Sequence, residues 1–153
     1  MTSKTIPKEL FEATLQEHRQ LTQQINGLRQ FCSEVNELGE GPKFEEMGSQ
    51  IKELRNSLAA HFEEEERDGY LAPALDVSPR FTRTASELQR QHQQFLKVLD
   101  RFIERLQTCD PSIHCWQDAR QEFEDFLDQL LEHERAENTI VRSAFTEDLG
   151  SGD

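Results

Sequence analysis

The stretch HFEEEERDGY, residues 61–70, decides how this chain is read. His61 and Glu65 stand four residues apart, which is one turn on the same face if the stretch is helical. The pair is then either a solvated couple on an acidic helix or half of a metal site inside a bundle. The residues on either side of it separate the two readings.

Upstream, Phe44, Met47, Ile51, Leu54 and Leu58 recur at spacings of three and four and run directly into His61 and Glu65. The same pattern occurs three more times. The first series is Phe11, Thr14, His18, Leu21, Ile25, Leu28, Cys32 and Val35; the third is Phe81, Ala85, Leu88, His92, Phe95, Leu99, Phe102, Leu106 and Cys109. The fourth is Trp116, Ala119, Phe123, Phe126, Leu130, His133, Glu137, Ile140 and Ala144. These seams predict four long helices, from Pro7 to about Leu38, Lys43 to Asp68, Pro79 to about Thr108 and Ser112 to about Phe145. GEGP, the loop YLAPALDVSP after Gly69, and CDPS separate them, with Ser78 and Ser112 as caps. Connections this short place neighbours antiparallel, so the expected fold is all-α, an up-down-up-down four-helix bundle. One domain is expected over residues 1–153, with its core at about 7–146 and a flexible acidic tail at about 147–153.

The composition agrees. Charged residues at 31% and hydrophobic ones at 35%, with 7 Gly and 5 Pro, describe a helix-rich soluble chain. Thirty Asp and Glu against 17 Lys and Arg give a formal charge of −13, which repels phosphate backbones and anionic headgroups. Neither nucleic acid nor a membrane surface is expected as a partner. The opening MTSKTIPKELFEATL lacks the apolar run of a signal peptide, and no stretch approaches the roughly 18 apolar residues of a membrane span. Three cysteines, an odd number with no disulfide framework, suit a reducing compartment, and a cytoplasmic protein is expected.

Four of the five histidines fall on seams, and only His114 falls outside. With two seam positions in seven, random placement would achieve this in roughly two per cent of cases. Counting about 1.5 Å of rise per residue from the Tyr70 end places the four histidines roughly 12–20 Å up, Glu137 near 14 Å and Glu65 near 6 Å. That is one layer or two adjacent ones. Six such groups in a dry interior would cost several kcal/mol each if unpaired, and a cation compensates them. Imidazole nitrogens and carboxylate oxygens suit Fe, Mn or Zn, and a carboxylate can bridge two ions. The candidate ligands are His18, His61, Glu65, His92, His133 and Glu137, around two iron ions, with Mn or Zn as substitutes. A lone HxxxE says little in so acidic a chain, and a lone seam histidine is usually a hydrogen-bonded core residue; the joint set outweighs both. The Glu-x-x-His pairs of ferritin-like bundles are absent from these seams. Cys109 and Cys115 read as a buried thiol pair beside a surface His114, and Glu63 to Glu66 as solvated apart from Glu65.

The order His18, then His61 with Glu65 in AAHFEEEE, His92 in LQRQHQQF, and His133 with Glu137 in LLEHERAE resembles the hemerythrin-like, or HHE cation-binding, domain family. The resemblance covers about residues 7–146. It implies a four-helix bundle with a non-haem di-iron centre bridged by Glu65 and Glu137, binding or sensing oxygen or reactive oxygen and nitrogen species. Oxygen-carrying members have a second histidine on the third helix, where this chain has Leu88 and Leu96. They also usually place an aspartate five residues after the fourth-helix histidine, whereas Glu137 follows His133 by four, as in the wider family. The vacancy argues against reversible oxygen carriage; water, Glu64 or Tyr70 are candidates to fill it. A small diatomic or peroxide ligand is the expected partner. The alternatives are an enzyme reducing peroxide or nitric oxide, an iron sensor or store, and, last, a metal-free interaction bundle.

Overall fold

The four apolar seams each become a long helix in the computed structural model, which describes residues 8–38, 42–68, 71–109 and 112–151. The elements run α1 Lys8–Leu38, α2 Pro42–Asp68, α3 Leu71–Val77, a 3-10 turn Pro79–Phe81, α4 Thr82–Thr108 and α5 Ser112–Ser151. Among the described residues there is no strand. Seam residues close the interior because each helix has one apolar stripe to bury. α1 packs on α2 and α5, and α4 packs on the same two, so the long helices form a closed ring.

Three details differ from the sequence reading. The segment after Tyr70 is not a loop: Leu71 and Ala74, one turn apart, are buried and pack α3 onto Ile140, Val141 and Ala144 of α5. Pro79 opens the short 3-10 turn, whose Phe81 N–H donates to Ser78 O at 3.2 Å, and α4 proper begins after it. The last helix continues past Phe145 to Ser151; Ala144 is buried and the Phe145 ring stacks on Phe11 at 4.0 Å, so this end is tied to α1. Pro7, Gly69 and Tyr70 lie outside the described residues.

A fourth difference concerns the cysteines. Cys109 and Cys115 form a disulfide across the α4–α5 turn, with Cα atoms 6.3 Å apart, while Cys32 is a free buried thiol. A chain reversal six residues long brings the two Cα atoms within bridging range, a condition that counting cysteines cannot test. Among the described residues, no helix is long and apolar enough to cross a membrane.

The interior has two apolar bodies. The larger runs through Leu21 to Val35, Phe44 to Leu58, Phe95 to Phe102 and Trp116 to Leu130. The smaller gathers Leu71, Ala74, Ala85, Leu88, Ile140, Val141 and Ala144, with Phe11 and Phe145 against it. Along α1, α4 and α5 polar residues separate the two, and α2 contributes to the larger alone.

Candidate metal centre

Each seam turns polar once. On α1 His18 stands between Thr14 and Leu21; on α2 His61 and Glu65 follow Leu58; on α4 His92 stands between Leu88 and Phe95; on α5 His133 and Glu137 stand between Leu130 and Ile140. Because the helices are packed side by side, these interruptions coincide. All six side chains are buried, none more than 6% exposed. Glu65, which the count of helical rise set lowest, lies in the same layer: its Oε1 is 3.5 Å from His18 Nε2 and its Oε2 is 3.2 Å from His92 Nε2. The helix ends are not level, since α3 intervenes before α4, and counting from them misplaced it.

The donors sort into two groups whose ligand atoms lie within 4.8 Å of one another: His18, His61, Glu65 and Glu137, and then Glu65, His92, His133 and Glu137. The two carboxylates belong to both. Glu65 turns Oε1 towards His18 and His61 and Oε2 towards His92. Glu137 turns Oε2 towards His18, at 3.4 Å, and Oε1 towards His92 and His133. One oxygen to each side is the geometry of a carboxylate that bridges two cations.

The other ring nitrogen of each histidine is held from outside. His18 Nδ1–H donates to Asn138 Oδ1 at 2.6 Å, His61 Nδ1–H to Glu17 Oε1 at 2.7 Å, His92 Nδ1–H to Glu66 Oε1 at 3.2 Å and His133 Nδ1–H to Gln91 Oε1 at 2.8 Å. These partners form a closed relay: α1 supports the histidine of α2, α2 that of α4, α4 that of α5 and α5 that of α1. With Nδ1 protonated, each Nε2 turns a lone pair into the layer, the arrangement that fixes metal-ligating imidazoles. Phe62 stacks on His92 at 3.9 Å and Phe95 meets His133 edge-on at 5.2 Å, which closes that side with apolar surface.

The electrostatics describe a layer waiting for positive charge. Burial pulls the histidines down, but the carboxylates win: Glu137 and Glu65 raise His18 to about 11, Glu65 and Glu134 raise His61 to about 9, and Glu137 and Glu65 raise His92 to about 10. Burial opposes ionisation of Glu65 and Glu137, yet the surrounding imidazoles hold both carboxyls below the usual range, Glu137 well below it. In the absence of metal His18, His61 and His92 take protons as the counter-charge. Even so, Nε2 of His61 and of His133 are buried and make no hydrogen bond, although each meets the carboxylate one turn on. Buried ring nitrogens that face carboxylates without a hydrogen bond, as those of His61 and His133 do, fit a metal site better than a hydrogen-bonded polar core.

The structure thus brings all six sequence-predicted ligands together. Of the two side chains named for the vacancy, Glu64 is exposed, and Tyr70 is outside the described residues. Leu88 is buried and Leu96 half-buried, so no fifth histidine enters from α4. His114 is exposed, as its place off the seam implies. One acidic residue in the layer escaped the seam count: Glu134, 2% exposed, with Oε2 at 3.4 Å from His18 Nε2 and Oε1 at 3.9 Å from His61 Nε2. Burial, reinforced by Glu137, pushes its carboxyl up to about 8. A seven-residue period carried the signal, because Leu127, Glu134 and Val141 form a second buried column on α5 beside the seam.

No curated protein and no solved structure matches this chain. The model of the hemerythrin HHE cation binding domain, however, matches residues 9–144, a span that contains every residue of the layer and its outer partners. The buried histidines and carboxylates could hold a cation, and the chain belongs to the hemerythrin HHE cation binding domain family.

Proposed function

We propose that this protein holds a non-haem di-iron centre and uses it to bind or sense dioxygen or reactive oxygen and nitrogen species. His18 and His61 would hold one ion, His92 and His133 the other, and Glu65 and Glu137 would bridge them. The observation that carries the reading is the division of each bridging carboxylate, one oxygen to each histidine pair. Such a centre would supply one-electron chemistry and a coordination position for a small ligand; iron is preferred over Mn or Zn for that reason. The chain's own part is to present Nε2 lone pairs through the outer relay and to exclude water with Phe62 and Phe95. The reading takes the four long helices as an up-down-up-down bundle, one hemerythrin-like domain, cytoplasmic, whose partner is a diatomic or peroxide ligand and neither nucleic acid nor membrane.

A second reading, reduction of peroxide or nitric oxide, is favoured by a groove between α4 and α5 lined by Leu88, Gln91, Phe95, Gln129, His133 and Ala136, which runs beside the buried His133 ring. Metal content per chain and the visible absorption of the oxidised protein test the di-iron reading: two irons per chain are expected, and a chain that emerges metal-free from iron-rich medium overturns it. His18→Ala lowers the iron content while helicity stays intact. Steady-state turnover of hydrogen peroxide separates the two readings, since its absence leaves binding or sensing.

A further inference from the structure

Glu134 is the one buried carboxylate in the layer that neither bridges nor supports a histidine. It is 2% exposed, and neither of its oxygens accepts a hydrogen bond. Its column on α5 continues in Leu127 and Val141, both fully buried apolar residues, so packing alone asks for a hydrocarbon at this position. A carboxylate with no hydrogen bond in such surroundings costs several kcal/mol unless a cation meets it. The basic nitrogens within 4 Å of it, among the described residues, are the metal-facing ones of one histidine pair, His18 Nε2 at 3.4 Å and His61 Nε2 at 3.9 Å.

Resting on the di-iron reading above, we infer that Glu134 is a terminal ligand of the ion held by His18 and His61, which makes the two metal positions unequal. That position then has five protein donors: two imidazoles, one oxygen each from Glu65 and Glu137, and Glu134. The position at His92 and His133 has four: those two imidazoles and the other oxygen of each of Glu65 and Glu137. The third carboxylate also adds negative charge beside the first ion alone, and a hard oxygen donor there favours hard, oxygen-preferring cations. The vacancy left by the second histidine that α4 lacks therefore stays at His92 and His133, the side that the α4–α5 groove reaches. An exogenous small ligand is directed to one ion rather than shared.

Cobalt(II) titrated anaerobically into the metal-free protein provides the test, with the ligand-field absorption and the number of ions bound as readouts for wild type, Glu134→Gln and Glu134→Leu. Wild type takes up two ions with different affinities and different absorption bands. Glu134→Leu weakens one of them by at least the roughly 10–100-fold that losing a group hydrogen-bonded to a ligand costs, and changes the band of that ion alone. The metal-free Glu134→Leu protein melts higher than metal-free wild type, because a buried carboxyl group without a hydrogen bond is gone; Glu134→Gln, which keeps the shape, serves if the leucine variant does not fold. Two ions bound with unchanged affinity and bands in both variants overturn the role of Glu134 while leaving the di-metal reading intact. A wild-type chain that binds fewer than two ions overturns that reading and the inference with it.

Discussion

The larger apolar body and the polar layer above it occupy equivalent seam positions, are equally buried, and have opposite energetics. In the apolar body Trp116, Phe102 and Phe126 pack around Phe123, with ring centroids 5.1–6.2 Å away. Every such contact stabilises the folded chain with no help from solvent or ligand. In the layer, histidines and carboxylates at the same burial oppose folding unless protons or a cation neutralise them. The helices are therefore held by one region and kept apart from collapse in the other, and the fold does not depend on the site it carries.

Truncating the apolar body breaks that comparison most strongly. Phe123→Ala removes a fully buried ring from an aromatic cluster and is expected to cost about 3–5 kcal/mol, by the same amount with and without metal. Chemical denaturation of both forms measures it. A loss confined to the metal-loaded form would show that the two regions are not separable.

Removing metal acts on the layer alone, and its size depends on pH. At metal concentrations a thousandfold above Kd, binding stabilises the fold by about 4 kcal/mol. In the metal-free protein, His61, His18 and His92 are raised from 6.5 to about 9, 11 and 10, and Glu134 from 4.5 to about 8. Groups raised on folding contribute their full stability below their unfolded pKa and lose it as pH climbs to the folded value. Metal-free protein is thus expected to weaken steadily from about pH 6.5 to 11, as the unfolded histidines lose protons that folded His61, His92 and His18 still hold up to about 9, 10 and 11. The lowered Glu65 and Glu137 act only at the acid end, where their contribution disappears as pH falls below 4.5. Metal binding displaces those same protons, so its contribution grows with pH. Unfolding curves at pH 6 and pH 9 should therefore diverge between the two forms; metal-free protein that is more stable at pH 9 would contradict the charge arrangement described.

Much of this was legible because a histidine in an apolar seam has few innocent explanations once three others join it. The fold followed from the same seams, since a period of three and four specifies both helix and buried face. What stayed hidden depends on contacts between helices. Glu134 sits one position off a two-in-seven seam, and α5 buries that second column because α3 covers part of it. α3 itself is a seven-residue helix with a proline inside it, indistinguishable by pattern from a turn. Glu17, Glu66, Gln91 and Asn138 flank ligands in sequence and are exposed or half-buried, so each reads as ordinary polar surface until the neighbouring helix is placed beside it.

Those outer partners sharpen the comparison by a smaller step. Glu17→Gln keeps the length of the side chain and removes the carboxylate that His61 Nδ1–H donates to. Metal affinity is expected to fall about 10–100-fold, or roughly 1.4–2.7 kcal/mol, with the metal-free melting temperature little changed. Competition with a chelator of known affinity measures the shift, and an unchanged affinity would mean that the Glu17 carboxylate does not orient His61.

The smallest effect is expected from the disulfide, which belongs to neither region. Cys109 lies 17 residues beyond His92 on the same chain direction, about 25 Å at helical rise, so the bridge ties the far turn of the bundle. Closing so short a loop restricts the unfolded chain only modestly, by about 2 kcal/mol or less. Cys115→Ser should lower the melting temperature slightly, alike with and without metal, and leave metal stoichiometry and absorption as they were. A change in metal binding on reduction would mean that the turn and the layer communicate through α4 and α5, and that the apolar body between them transmits strain rather than isolating the site from it.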